Sequence, residues 1–327
     1  NTSNKILDSR LKVIPDVRDY IEAIIIIKES ESGASKLNDW HVILDAVLGG
    51  RSARKEFGTF LSFSSQLYSK NIIYHSASIE WISDNSNYRF EIEDGNPKLI
   101  IPSLNLKCLS KNSDLEIKNT SGVYYPLDEK WIGKNGTVTW ERAGLDPNRV
   151  YAVINDYDIL MKFSKYDADS VTFYNVDYFP DPLLGRLEDA VRANVTEENS
   201  SFPSFVSYSK RLKIANIDIN VDYEGGFTQR GARFIASGSK EDPAYLLFYL
   251  NEKPFLEVKS ISFSIKEDKI TTTDAAVKFI LHDDSITHPG LDFKYNRESR
   301  VVNLFKSFEG LQKAPYFDSY HAIDIYT

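Results

Sequence analysis

FGTFLSFSSQLYSKNIIYHSASIEWISDNSNYRFEI, residues 57–92, contains the change of pattern that decides the fold. Up to Leu67 the apolar residues Phe57, Phe60, Leu61 and Leu67 return at helical spacing and fit one stripe. Beyond Tyr74 apolar and polar residues alternate, as in Tyr88-Arg89-Phe90-Glu91-Ile92, and the alternation returns far downstream in Val171-Thr172-Phe173-Tyr174. A helical segment therefore hands over to a long β body. A sheet of that length must close, cover its edges, or offer them to another chain or ligand.

Upstream of the switch, two helix signals occupy residues 3–30 and meet at Pro15, which can open a helix but breaks one in its interior. The second carries four consecutive isoleucines, Ile24 to Ile27, and is apolar on more than one face; this run is far short of the roughly 20 apolar residues of a membrane span. After the linker Ser30-Glu31-Ser32-Gly33, Asn38-Asp39 caps a stretch through Trp40, Ile43, Leu44, Val47 and Leu48 that Gly49-Gly50 stops. A third helix is expected from Ser52 to about Lys70.

Downstream, strand-like tracts are punctuated by Asp94-Gly95-Asn96-Pro97, Lys111-Asn112-Ser113, Lys134-Asn135-Gly136, Asp146-Pro147-Asn148 and Pro180-Asp181-Pro182. Each contains residues that adopt positive φ or preset a turn. The polar run Asn194 to Ser201 reads as a loop or junction. Gly225-Gly226 reads as a bulged turn or a close strand crossing, with no phosphate-cradling motif around it. The fold class expected is mainly β with an N-terminal helical segment, its body an antiparallel sandwich or an open solenoid-like sheet. The organisation expected is 1–72 helical, 73–193 β-rich, 194–209 a junction and 210–327 a second β-rich region.

Composition bounds the function. Hydrophobic residues are 42% of the 327, with 19 Tyr and 19 Phe, which is ample for a core. A net charge of -8 argues against a nucleic-acid partner, which would demand a basic face, and Lys210-Arg211-Leu212-Lys213 reads as a solvated strand end. A lone Cys108 excludes an internal disulfide and a thiolate metal cluster. The abrupt ends read as those of a fragment of a longer polypeptide, and no cofactor is implied.

Chemistry-bearing groupings are sparse. Tyr124, Tyr125, Trp131 and Trp140 are the aromatics that could stack on sugar rings, and His282, Asp284 and His288, with Asp283 and Asp292 nearby, could ligate a divalent ion. Core packing for most of the aromatics and ordinary polar turns for the histidine cluster are the preferred readings. Glu141, Asp156, Asp158, Asp169, Asp222 and Glu224 could supply the paired carboxylates of glycoside hydrolysis, yet 47 acidic residues make such pairs by chance.

Gly122-Val123-Tyr124-Tyr125-Pro126, Thr139-Trp140-Glu141-Arg142-Ala143-Gly144, Asp169-Ser170-Val171-Thr172-Phe173, Val221 to Phe227 and Ala314 to His321 resemble segments of long exported proteins of Bacteroidota-type bacteria. That resemblance implies a segment of a large envelope-associated chain, extracytoplasmic, whose partners are other domains of the same polypeptide. Asp167 to Tyr174 is similar to the repeating strands of the groove-forming β domains of lipopolysaccharide transport, without their glycine-terminated repeat. Asp169-Ser170-Val171 and Asp284-Ser285-Ile286 resemble the short O-glycosylation acceptor pattern of such bacteria. The function expected is a non-catalytic structural or interaction module. The alternatives are a lipid- or glycan-binding β groove and, third, a carbohydrate-active enzyme.

Overall fold

The computed structural model describes residues 51–93, 96–111, 113–126, 128–192, 195, 200–281, 284–306 and 316–317. The helix signals of residues 3–30 and 38–50 and most of the 194–201 run lie outside these residues. One helix opens the described chain, α1 (Arg51–Lys70). It buries Leu67 and brings Phe63 to 6.2 Å from the Tyr124 ring. Asn71, at φ 54°, donates its N–H to Leu67 O and ends the helix in the left-handed conformation that asparagine tolerates best after glycine. The next residue begins a strand, so the handover falls within a few residues of Tyr74, as the pattern requires.

Twenty-two strands follow: β1 (Ile72–His75), β2 (Ile79–Ser83), β3 (Arg89–Glu93), β4 (Asn96–Ser110), β5 (Asp114–Tyr125), β6 (Lys130–Lys134), β7 (Thr137–Thr139), β8 (Val150–Val153), β9 (Asp156–Leu160), β10 (Lys165–Asn175) and β11 (Leu183–Ala190); then β12 (Ser204–Ser207), β13 (Leu212–Asp218), β14 (Val221–Arg230), β15 (Arg233–Ser237), β16 (Ala244–Leu250), β17 (Lys253–Ser260), β18 (Ser262–Ile265), β19 (Lys269–Leu281), β20 (Asp284–Asn296), β21 (Val301–Lys306) and β22 (Tyr316–Phe317). The mainly β, antiparallel expectation is met. The turn signals at 134–136, 146–148 and 180–182 fall between strands or at a strand end, and those at 94–97 and 111–113 lie partly outside the described residues. β12 is a strand inside the stretch expected to be a junction. The chain divides into two compact units with discontinuous boundaries, the first within residues 1–137, 154–167 and 190–194, the second within 138–153, 168–189 and 195–327.

In the first unit β2 pairs with β4, β4 with β5, β5 with β6 and β6 with β9; β1 flanks β2, and β3 shares with β2 the same partner β4. Leu99, Tyr124, Trp131 and Ile159 stand opposite one another across four strands and are all buried. Their neighbours one residue along point outward, which is the period-two rule of a sheet with one core face. The long strands break at mid-length: β4 slips register around Leu104, Asn119 of β5 adopts φ 53°, and Asn135-Gly136 separates β6 from β7. A bulge bends a strand and increases its twist, so successive bulges curl the ladder around its own apolar face.

The second unit repeats the device. β14 pairs along one edge with β13 and β12 and along the other with β16 and β15; β17 and β18 then lead to β19, and β20 to β21 and β22. Tyr223, Leu246, Val258 and Val277 form a buried row across β14, β16, β17 and β19. The breaks sit at Asn216 (φ 54°) in β13 and Asp274 (φ 52°) in β19, each with a register shift beside it. Gly225 lies within β14, where a Cβ would come 2.5 Å from Tyr223 Oη and 2.6 Å from Ala244 Cβ, so it serves a close strand approach.

Candidate functional site

Of the sugar-stacking candidates, Tyr124, Trp131 and Trp140 are buried and Tyr125 is half-buried. Tyr124 and Trp131 are a cross-strand pair in the first unit, whereas Trp140 belongs to the second. Their polar atoms serve the interior: Trp131 Nε1 donates to Tyr157 Oη at 3.3 Å, and Trp140 Nε1 to the Pro203 carbonyl at 2.8 Å. Tyr157 Oη and Thr120 Oγ1 are 2.7 Å apart, and Thr120 Oγ1 also reaches the Asn135 carbonyl at 2.7 Å. A donor chain thus runs from Trp131 through Tyr157 and Thr120 to a backbone carbonyl, leaving each member satisfied. Burial pushes the Tyr157 phenol up to about 12, with the Thr120 and Trp131 bonds opposing it. Burial, and secondarily Glu129, raises the Tyr124 phenol further. These rings build the core and hold it.

His282 and Asp283 lie outside the described residues. Asp284 and His288 stand four residues apart on β20, and an extended strand separates such positions by about 13 Å. The strand does not bring them to one ion. His288 Nδ1 accepts from the Gly290 N–H at 3.2 Å, and Asp292 Oδ1 from Asp274 N–H at 3.3 Å. Among the described residues, no three His, Cys, Asp or Glu side chains gather as a metal site.

Most of the carboxylates considered for hydrolysis are engaged structurally. Asp158 pairs with Lys130 at 3.0 Å, Asp222 accepts from Asn216 N–H at 2.8 Å, and Glu224 meets Arg211 at 2.6 Å and Lys213 at 3.4 Å. The hydrogen bond from Tyr245, with lesser ones from Arg211 and Lys213, holds the Glu224 carboxyl below the usual carboxylate range against desolvation. The basic run at 210–213 is therefore partly neutralised by its own strand neighbours. Asp169 accepts from Tyr208 Oη, which is the first cause of its lowered carboxyl. Of the two serines in the acceptor-like triplets, Ser170 is exposed and Ser285 buried.

What the sequence reading missed is an open cleft of about 600 Å³ in the first unit. The β1–β2 hairpin supplies His75, Ser78 and Glu80; the end of β4 adds Leu109 and Ser110, followed by Lys111; Ser164 and Val191 complete it. Pairing explains the convergence, since Glu80 faces His75 on one side and Leu109 on the other, and Ile79 faces Ser110. His75 Nδ1 lies 2.9 Å from Glu80 Oε1. Ile79 and Val191 form an apolar floor. The cleft's acidic lining is Glu80 alone among the described residues, so two convergent carboxylates are not part of it. The signal available in sequence was the short His75-Ser76-Ala77-Ser78-Ile79-Glu80 hairpin, but nothing local announces that Ser110 and Ser164 join it.

Comparison with known families, with curated proteins and with solved structures finds no match to this chain.

Proposed function

We propose that this chain is a non-catalytic structural or interaction module of a large, exported, envelope-associated protein, with other domains of that polypeptide as its partners. The observation that carries the reading is how the inward faces are occupied: Trp81, Trp131, Leu106 and Ile117 in the first unit, and Phe205, Phe227, Phe263 and Phe293 in the second, are each 0–1% exposed. A lipid groove needs inward side chains that leave a trough; here large apolar side chains occupy the inward face of each ladder. The exported setting rests on the resemblance to Bacteroidota-type proteins. Among the described residues no helix is long and apolar enough to cross a membrane.

Native mass spectrometry of gently purified protein, followed by organic extraction, tests the reading. The expected mass is that of the polypeptide, with no co-extracted acyl lipid. A stoichiometric lipid would sink the proposal and favour the carrier alternative, and turnover of a glycan substrate by the purified chain would favour the enzyme.

A further inference from the structure

We infer that the cleft beside the β1–β2 hairpin is an oxyanion site for a phosphate ester. The cleft presents donors in excess of its own needs. Among the described residues Lys111 enters no ion pair, and the Ser78 and Ser110 hydroxyls make no hydrogen bond, although all three line the same concavity. His75 adds a fourth group: with Nδ1 committed to Glu80, Nε2 is the ring nitrogen left to face a ligand, and the carboxylate fixes the ring's orientation.

The number of donors selects the ligand class. An ammonium with three N–H groups and two hydroxyls bring more donors than the about four lone-pair sites of a carboxylate, whereas a phosphate monoester offers three strongly accepting oxygens. Lys111 supplies the cation, and Glu80 is turned to His75 Nδ1. A volume of about 600 Å³ falls within the range of small-molecule sites and leaves room for an organic body beside the phosphate. Ala77, Ile79, Leu109 and Val191 provide the apolar surface for it.

Amide and imidazole chemical shifts of the full chain, titrated with glycerol 3-phosphate and separately with inorganic phosphate, test the site. Saturable shifts at Ser78, Ser110, Lys111 and His75 are expected, tighter for the ester. Lys111→Gln should weaken the affinity about tenfold, the loss expected of a charge-assisted contact. Lys107→Gln, which disrupts the ion pair of Lys107 on β4 with Glu116 on β5, should leave it unchanged. Sedimentation with vesicles containing phosphatidic acid, whose headgroup is a phosphate monoester, separates two sources of the same chemistry: Lys111-dependent co-sedimentation assigns the phosphate to a lipid headgroup, and its absence alongside ester binding assigns it to a soluble ester. No saturable shift with either probe, or equal affinity in Lys111→Gln, overturns the inference.

Discussion

In the first unit the deepest positions are held by Trp81 and Trp131 with aliphatic neighbours, and the polar edges of the rings are tied by the Trp131–Tyr157–Thr120–Asn135 chain. In the second the centre is a phenylalanine cluster. Phe227 lies 4.7 Å from Phe234, 4.9 Å from Phe179, 5.5 Å from Phe173 and 6.1 Å from Phe205, mostly edge-on or tilted. A buried ion pair, Arg142–Asp189, sits in the same unit, with the Asp189 side chain 2% exposed. Both ladders bend at mid-strand bulges, so the contrast teaches that the curled β architecture is indifferent to the chemistry that fills it. Tryptophan carries a donor that must be met, and the first unit meets it with the Tyr157 hydroxyl at Trp131 and the Phe163 carbonyl at Trp81; phenylalanine asks only for shape.

The largest expected effect follows from that contrast. Phe227→Ala removes the ring that four others touch and should cost about 3–5 kcal/mol, read as a fall in the urea midpoint. Amide exchange sharpens the test, because β12, β14 and β15 should lose protection first. Equal loss at β4 and β5 would break the division into two separately packed cores.

Next in size are two glycines that the units use in the same way. A Cβ on Gly133 would fall 2.1 Å from Tyr157 Cζ, and one on Gly185 would fall 2.2 Å from the Val206 carbonyl and 2.5 Å from the Phe205 ring. In each case an aromatic ring lies over bare backbone. Alanine at either should cost about 1–3 kcal/mol. Gly185→Ala should be the worse, because a backbone oxygen within a paired ladder yields less readily than a ring. Thermal unfolding of both variants checks the ranking, and the reverse order would show the hydroxyl-tethered Tyr157 to be the more rigid element.

Thr120→Val tests the donor chain alone. It removes the acceptor for Tyr157 Oη while keeping shape, and should cost about 1–2 kcal/mol. The phenol also gives a pH signature. Its folded value is raised from 10 to about 12, so folding favours the protonated form. That contribution is fully present below pH 10 and is lost as pH rises toward 12, because the unfolded chain releases its proton first. Urea unfolding across this range should show falling stability, and Tyr157→Phe should flatten the decline.

The end of α1 and the turn signals were legible because Asn, Gly and Pro announce backbone conformations locally. The curl of the ladders was not. It depends on left-handed residues such as Ser170 and Asp274, whose types do not mark them, and on register shifts that need the partner strand to be seen. β12 was hidden because Ser204-Phe205-Val206-Ser207 follows a polar run and is too short to show alternation. Trp131 and Trp140 were readable as either platform or core, and burial resolves each as core. The cleft depends on cross-strand neighbours more than 30 residues apart, such as Ile79 and Ser110, which no short motif links.

The smallest effect concerns those left-handed positions. Ser170, at φ 54°, is held by its N–H donating to Tyr208 Oη at 2.9 Å, and Asn119 of the first unit, at φ 53°, by its N–H donating to Asn105 Oδ1 at 2.8 Å. Glycine at either keeps the N–H and its bond while removing the Cβ that opposes the conformation. Serine gains little from its side chain there, whereas asparagine is adapted to it. Ser170→Gly should therefore stabilise by about 0.5–1 kcal/mol and Asn119→Gly by less, since glycine's added unfolded-state entropy offsets much of the relief. Matched urea midpoints read the difference. If both changes destabilise alike, the bulges are set by side-chain contacts and the two ladders curl for a reason other than the backbone.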